Sequence, residues 1–203
     1  MSVQSLLNFG SLTFDTPMSL SGFEDFCRDY PDLRCERGPK GYVNVRPLLK
    51  HHDSLIVSEI LGRLYIWNQS NSKPGKAYSP SAGFLLAGEE VCCGDATWVS
   101  NERLAPFLAD PDHKDKWVNV VPEFVVELRS KSDSLKKLKR KMVNTWMANG
   151  VLLGWLIDPK KEVAYIYRQG QDEPEEVCDF ETSVLSGKEV LPGFVFSLVE
   201  LSL

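Results

Sequence analysis

The most regular pattern in the chain runs from Asp53 to Asn68, where Ile56, Ile60, Leu64 and Trp67 recur every three or four positions. That spacing places them on one face of a helix and predicts an amphipathic helix over this span. A second stripe, Leu135, Leu138, Met142 and Trp146, predicts another helix, which Ser132-Asp133 can cap and Asn149-Gly150 closes. A shorter helix begins at Ser21 and must end at Tyr30, because the residue before a proline avoids the α conformation.

Strands show a different pattern. Leu33 to Arg37 and Tyr42 to Arg46 flank the turn Gly38-Pro39-Lys40-Gly41 and predict a β-hairpin. Phe84-Leu85-Leu86 and Ala96-Thr97-Trp98-Val99 predict strands on either side of Glu89 to Gly94. Phe124-Val125-Val126 is a continuous apolar run, as in a central strand buried on both faces. Gly154 to Asp158 and Val163 to Tyr167 predict two more strands, joined at Pro159-Lys160. Ser70 to Ser81 is polar and rich in turn formers and is expected to be a loop. Leu104 to Val120 is expected to be a helix fragment and loop, and Val190 to Phe196 repeats a strand-like theme. Strand, helix, strand in this order implies a crossover and an α/β fold with a mixed central sheet flanked by helices, preceded by a helix and hairpin extension.

Length and composition bound the function classes. The 203 residues are compatible with one domain, residues 1–203, whose first twenty or so form an extended lead-in. Met1 to Pro17 has neither positive charge nor a continuous apolar run, so no secretory signal is expected there. No stretch approaches the roughly 20 apolar residues of a membrane helix, so no membrane partner is expected. The five cysteines have no C-x-x-C spacing, which predicts reduced thiols and a cytoplasmic location. The net charge of −5 requires any nucleic-acid contact to come from a local basic patch. Arg129, Lys131, Lys136, Lys137, Lys139, Arg140 and Lys141 supply one. No glycine-rich phosphate loop or dinucleotide fingerprint occurs, so no nucleotide cofactor is expected.

Two acids stand where a sheet can hold them rigidly. Asp95 opens the strand Ala96 to Val99, and Glu127 ends the buried run Phe124 to Val126. A carboxylate continuing an apolar strand needs a compensating partner. Either a neighbouring Arg or Lys supplies it, or the two acids share a Mg²⁺ ion, which takes one or two carboxylates and keeps several waters. Lys141, beside Leu138 and Met142, lies at the edge of the buried helix stripe and can point towards Glu127. Acids in mutual repulsion would gain stability, or lose none, when one is removed. Acids in buried ion pairs would instead cost roughly 3–5 kcal/mol.

The segments Asp95 to Ser100 and Pro122 to Leu135, with Lys141-Met142, Asn149-Gly150-Val151 and Gly154 to Pro159, resemble in order and spacing the Uma-two family of restriction endonucleases. The resemblance extends to Pro31 to Arg37, Leu185 to Gly187 and Leu191 to Phe194, and so covers nearly the whole chain. It implies a restriction-endonuclease-like core of the PD-(D/E)xK superfamily and a Mg²⁺-dependent endonuclease acting on DNA, with Mn²⁺ a possible substitute. By the same resemblance Asp95, Glu127 and Glu36 match the metal-binding acids and Lys141 matches the family's helix lysine. Two-strand cleavage by such enzymes implies a homodimer.

Three positions depart from the pattern. Gly94 replaces a proline, and Lys131 replaces a proline in the following turn. Arg129 stands at a lysine position and, being always protonated, either clamps phosphate or pairs with an acid. The competing functional class is a catalytically silent module that binds nucleic acid or a partner protein. A metal-independent hydrolase is disfavoured by having only three histidines, none near the acids.

Overall fold

The structure is a computed structural model describing residues 12–131 and 133–201, so most of the expected lead-in lies outside it. The first described elements are a short strand β1 (Leu12–Thr13) and helix α1 (Leu20–Asp29), capped by Ser19, whose hydroxyl accepts from the Gly22 N–H. The predicted hairpin forms as β2 (Arg34–Arg37) and β3 (Val43–Arg46), in antiparallel register. Helix α2 (His51–Ser70) then carries the first apolar stripe and overruns the expected span by a turn's fraction at each end.

Strand β4 (Gly75–Tyr78) corrects the expected loop at 70–81. Its composition lacks β-branched residues, so propensity gives no sign of it; partners form it instead. It pairs antiparallel with β7 (Ala96–Ser100), the strand that Asp95 precedes. The buried Asn68 fastens it at its start, accepting from Gly75 N at 3.2 Å and Trp98 Nε1 at 2.9 Å, and donating to Gly75 O at 3.1 Å. Only glycine fits at position 75, where a Cβ would sit 2.2 Å from the Val99 carbonyl oxygen. Between these strands lie β5 (Phe84–Leu85) and β6 (Val91–Cys92), the latter falling in a stretch expected to be a connection. Helix α3 (Asn101–Leu108) follows β7 directly, capped by Ser100, and so starts before the expected 104.

Strand β8 (Phe124–Leu128) is buried along its whole length. Helix α4 (Leu135–Lys141) is capped by Ser134 and continues through a wide i→i+5 turn at Met142–Trp146. Ser132, an expected cap, lies outside the described residues. Strands β9 (Leu153–Asp158), β10 (Val163–Arg168) and β11 (Glu175–Cys178) complete a six-stranded sheet of order β11-β10-β9-β8-β7-β4. Only β8 and β9 pair in parallel, across the α4 crossover, so the sheet is mixed as predicted. The smaller sheet, β1-β3-β2-β6-β5, is antiparallel, and β12 (Val184–Ser186) pairs with β13 (Val195–Ser197) in the tail.

The large sheet buries both faces. Ile56, Ile60 and Leu64 of α2, with Phe194 and Phe196, cover Phe124, Val126 and Trp155 on one side. Leu138, Met142 and Trp146 cover Val99, Val125 and Leu156 on the other. Alternation along β8 therefore turns Val125 and Glu127 towards the α4 side. Among the described residues no helix is long and apolar enough to cross a membrane.

Replacing Asn68 by alanine strands the Trp98 indole N–H and both backbone groups of Gly75. At about 1–3 kcal/mol per buried unsatisfied group, urea unfolding should show a stability loss on the order of 3 kcal/mol. A loss below ~1 kcal/mol would mean that water replaces the amide and that Asn68 does not anchor β4.

Candidate active site

The site lies where the two sheets meet. Strand β6 runs through Cys93 and Gly94 into Asp95 and β7, so one short connector joins the small sheet to the large one. From the small sheet, alternation buries Val43 and Val45 and turns Asn44 and Arg46 to the other side. In β2, across the hairpin, Glu36 is in register with Asn44 and Arg34 with Arg46. From the large sheet come Asp95 and Glu127, both buried. Helix α4 brings Lys141 over them.

Lys141 Nζ donates to Glu36 Oε1 at 2.6 Å and the Cys93 carbonyl at 2.9 Å, and lies 2.7 Å from Glu127 Oε1. It thus ties both sheets, the connector and the helix together. The wide turn at Met142–Trp146 adds a second donor to the same carboxylate, Trp146 Nε1 to Glu127 Oε1 at 2.8 Å. In a regular α-helix, residues five apart point about 140° away from one another. A turn that closes i→i+5 instead brings Lys141 and Trp146 back to one side.

The three acids share a pattern: one oxygen is fixed and the other is left open. Glu36 Oε1 accepts from Lys141 and from the Cys93 N–H at 3.1 Å. Asp95 Oδ2 accepts from the Leu128 N–H at 2.8 Å, whereas its Oδ1 has only Arg34 at 3.4 Å. Glu127 Oε2 is buried with no hydrogen bond, and its nearest cation is Arg46 Nη1 at 3.8 Å. Three carboxylates face three cations here, Lys141, Arg46 and Arg34.

Burial pushes the Glu127 carboxyl above its usual range, with the charges of Asp95 and Glu36 adding to the shift, and Lys141 and Arg46 only partly oppose it. Glu36 is also desolvated, yet Lys141 and Arg46 outweigh burial and hold it below the usual range. Lys141 is raised, because the two glutamates more than offset the burial of its charge. It therefore stays an ammonium ion, with no lone pair to take a proton.

The structure thus brings together four of the residues singled out in the sequence, Glu36, Asp95, Glu127 and Lys141. It does not bring Arg129 to them. In the parallel register Leu128 faces Ile157, so Arg129 stands beside Asp158 and donates to its Oδ2 at 2.5 Å, and to the Asp133 carbonyl at 3.2 Å. Of the two roles open to Arg129, the ion pair is the one the structure shows. Gly94 also has a physical reason: a Cβ there would lie 2.6 Å from Val125 Cγ2 and 2.7 Å from Thr97 Cγ2. His51 and His52 are exposed at the start of α2.

Sequence reasoning missed Arg46, Arg34 and the Trp146 N–H. The available sign was the hairpin alternation, which puts Arg34, Glu36, Asn44 and Arg46 on one side. A cavity of about 390 Å³ opens onto this centre, lined by Glu36, Arg46 and Lys141 and edged by Lys137 and Arg140. Among the described residues no group of three or more His, Cys, Asp or Glu side chains is arranged to hold a metal ion outright. The orphaned Glu127 Oε2 and the open oxygens of Asp95 and Glu36 do fit Mg²⁺, an ion that takes few carboxylates and completes its shell with water.

The family model for Uma2, described as "Putative restriction endonuclease", matches residues 20–199. A crystal structure from Anabaena variabilis, described as a "putative nuclease belonging to DUF820", is similar with a TM-score of 0.73 and 18% identity. The match covers 91% of this chain and 97% of that one, and it shows a shared fold. No curated protein matches the chain.

The balanced charges decide the direction of a stability test. Repulsion between uncompensated acids would make removal of one harmless, but Glu127 sits against two cations. Glu127→Ala should therefore destabilise the protein by roughly 3–5 kcal/mol, since Lys141 loses a buried partner. The double variant Glu127→Leu/Lys141→Met should recover part of that loss. Urea unfolding in the presence of a chelator measures both, and additive losses would show that the pair is not coupled.

Proposed function

Because this chain belongs to the Uma2 family, we propose that it is a nuclease of the PD-(D/E)xK type, hydrolysing phosphodiester bonds in DNA with Mg²⁺ or Mn²⁺. One observation supports this above the others: each of three buried or nearly buried carboxylates is fixed through one oxygen and leaves the other open towards a common centre. A structural ion-pair network would close both oxygens of each acid.

Glu36, Asp95 and Glu127 would hold the ion. When bound, such an ion lowers the pKa of a coordinated water and stabilises the charge that builds up on phosphate. Lys141 fixes Oε1 of both glutamates and so aims their other oxygens. Its positive charge also stabilises negative charge developing beside it in a site largely closed to water. Trp146 holds Glu127 from the same side, which restricts the carboxylate to one orientation. The exposed Lys137 and Arg140 at the cavity edge provide the local positive patch that a net charge of −5 otherwise denies.

A catalytically silent binding module is the second reading, and the charge balance favours it: three cations already neutralise the acids without an ion. Nicking of supercoiled plasmid distinguishes the two. Wild type should convert plasmid to the open-circular form with Mg²⁺ or Mn²⁺ and leave it intact with chelator. Asp95→Ala and Lys141→Met should each lower the rate by about 100-fold or more. Intact plasmid under every metal condition, from a protein that unfolds cooperatively, would leave the silent module standing.

A further inference from the structure

We propose that Arg46 is the residue that receives the phosphate of the substrate, an assignment that rests on the nuclease reading above. The reason is a count of hydrogen-bond donors among the cations at the centre. An ammonium has three N–H donors, and Lys141 has Glu36, Glu127 and the Cys93 carbonyl around it. It can donate to a substrate only by releasing one of them. Arg129 is engaged by Asp158 and the Asp133 carbonyl. Arg34 is directed at Asp95.

Arg46 differs from all three. Its side chain is only 10% exposed, yet it makes no hydrogen bond among the described residues, and its Nη1 is fully buried without a partner. The nearest acceptors, Glu36 Oε1 and Glu127 Oε2, are both 3.8 Å away. That is beyond hydrogen-bond reach. An arginine present only to neutralise these acids would close on them with paired N–H···O contacts, as arginine readily does with carboxylates. Arg46 stands back from both and lines the cavity instead.

The matching acceptor is planar or tetrahedral, anionic and rich in oxygen, and small enough to enter between Arg46 and the acids. A phosphodiester meets each requirement, and guanidinium binds it with two parallel hydrogen bonds. Charge points the same way. The centre is neutral with its three acids and three cations, so a divalent ion would leave a surplus of two positive charges that an anionic phosphate complements. Arg46 thereby takes the phosphate-binding role open to Arg129 on sequence grounds.

The test uses the intact protein, a fluorescein-labelled DNA duplex and Ca²⁺ in place of Mg²⁺, with anisotropy read across 50–200 mM salt. Arg46→Gln should weaken binding to unrelated duplexes alike and lower the slope of log Kobs against log salt by about 1. Arg46→Lys should keep the slope but lose affinity, because the paired contact is gone. Calorimetry should show Mn²⁺ affinity of Arg46→Gln unchanged or higher, since a cation has been taken away from beside the acids. Unchanged DNA binding and slope with weaker Mn²⁺ binding would overturn the assignment and make Arg46 a support for the acids. Should Arg46→Gln not fold, full wild-type DNA affinity in Arg46→Lys would overturn it equally. Wild type that binds neither Mn²⁺ nor DNA and nicks no plasmid would end the nuclease reading itself.

Discussion

The ammonium group of Lys141, set between the carboxylates of Glu36 and Glu127, is the contact on which the architecture turns. Four separate parts of the chain meet at that one nitrogen: β2, the Cys93 connector, the end of β8 and helix α4. None of those groups could be buried alone. A desolvated glutamate would protonate and a desolvated lysine would lose its proton, each at considerable cost. Placed together they stay charged, and their charge obliges the small sheet, the large sheet and the helix to hold one mutual position. The docking of the two sheets is thereby specified by electrostatics as well as by apolar contact.

The neutrality of the cluster explains how such a centre can exist before any ligand arrives. Acidic sites built of carboxylates alone trade stability for metal affinity, because like charges resist being assembled. Here Arg34, Arg46 and Lys141 remove that conflict, and the three carboxylates are oriented in advance by one oxygen each. The cost is transferred to ligand entry, where an incoming cation meets resident positive charges. Within the proposed function, metal and phosphate would then favour one another's binding, since each corrects the charge the other introduces.

The elements with strong periodicity were legible from the chain alone: α2, β8, α4 and β9 lie where their apolar patterns put them. Strand β4 was not, because Gly75 to Tyr78 has no strand propensity and exists through pairing with β7 and through Asn68. Asp95 and Glu127 were recognisable as acids at the ends of apolar strands, and Lys141 as a cation at the edge of a buried stripe. Arg46 was hidden, since an arginine closing a hairpin strand reads as solvent-facing until the helix covers it. Trp146 was legible as core, but hydrophobic spacing gives no information on where an indole N–H points. The partner of Arg129 depended on the β8–β9 register, which sets Asp158 beside it and which no local pattern encodes.

The wide turn at Met142–Trp146 has an implication for how this segment can change over time. An i→i+5 turn holds one residue more than the α-helical turn it replaces. Deleting a single residue there would restore a regular helix and rotate everything after it by about 100°, carrying the Trp146 indole off Glu127 and Asn149-Gly150 out of line with β9. Point substitutions along the exposed side of the same segment disturb nothing comparable. The helix is therefore permissive in composition but fixed in length, and descendants of this chain can drift in the residues of that turn far more freely than in their number.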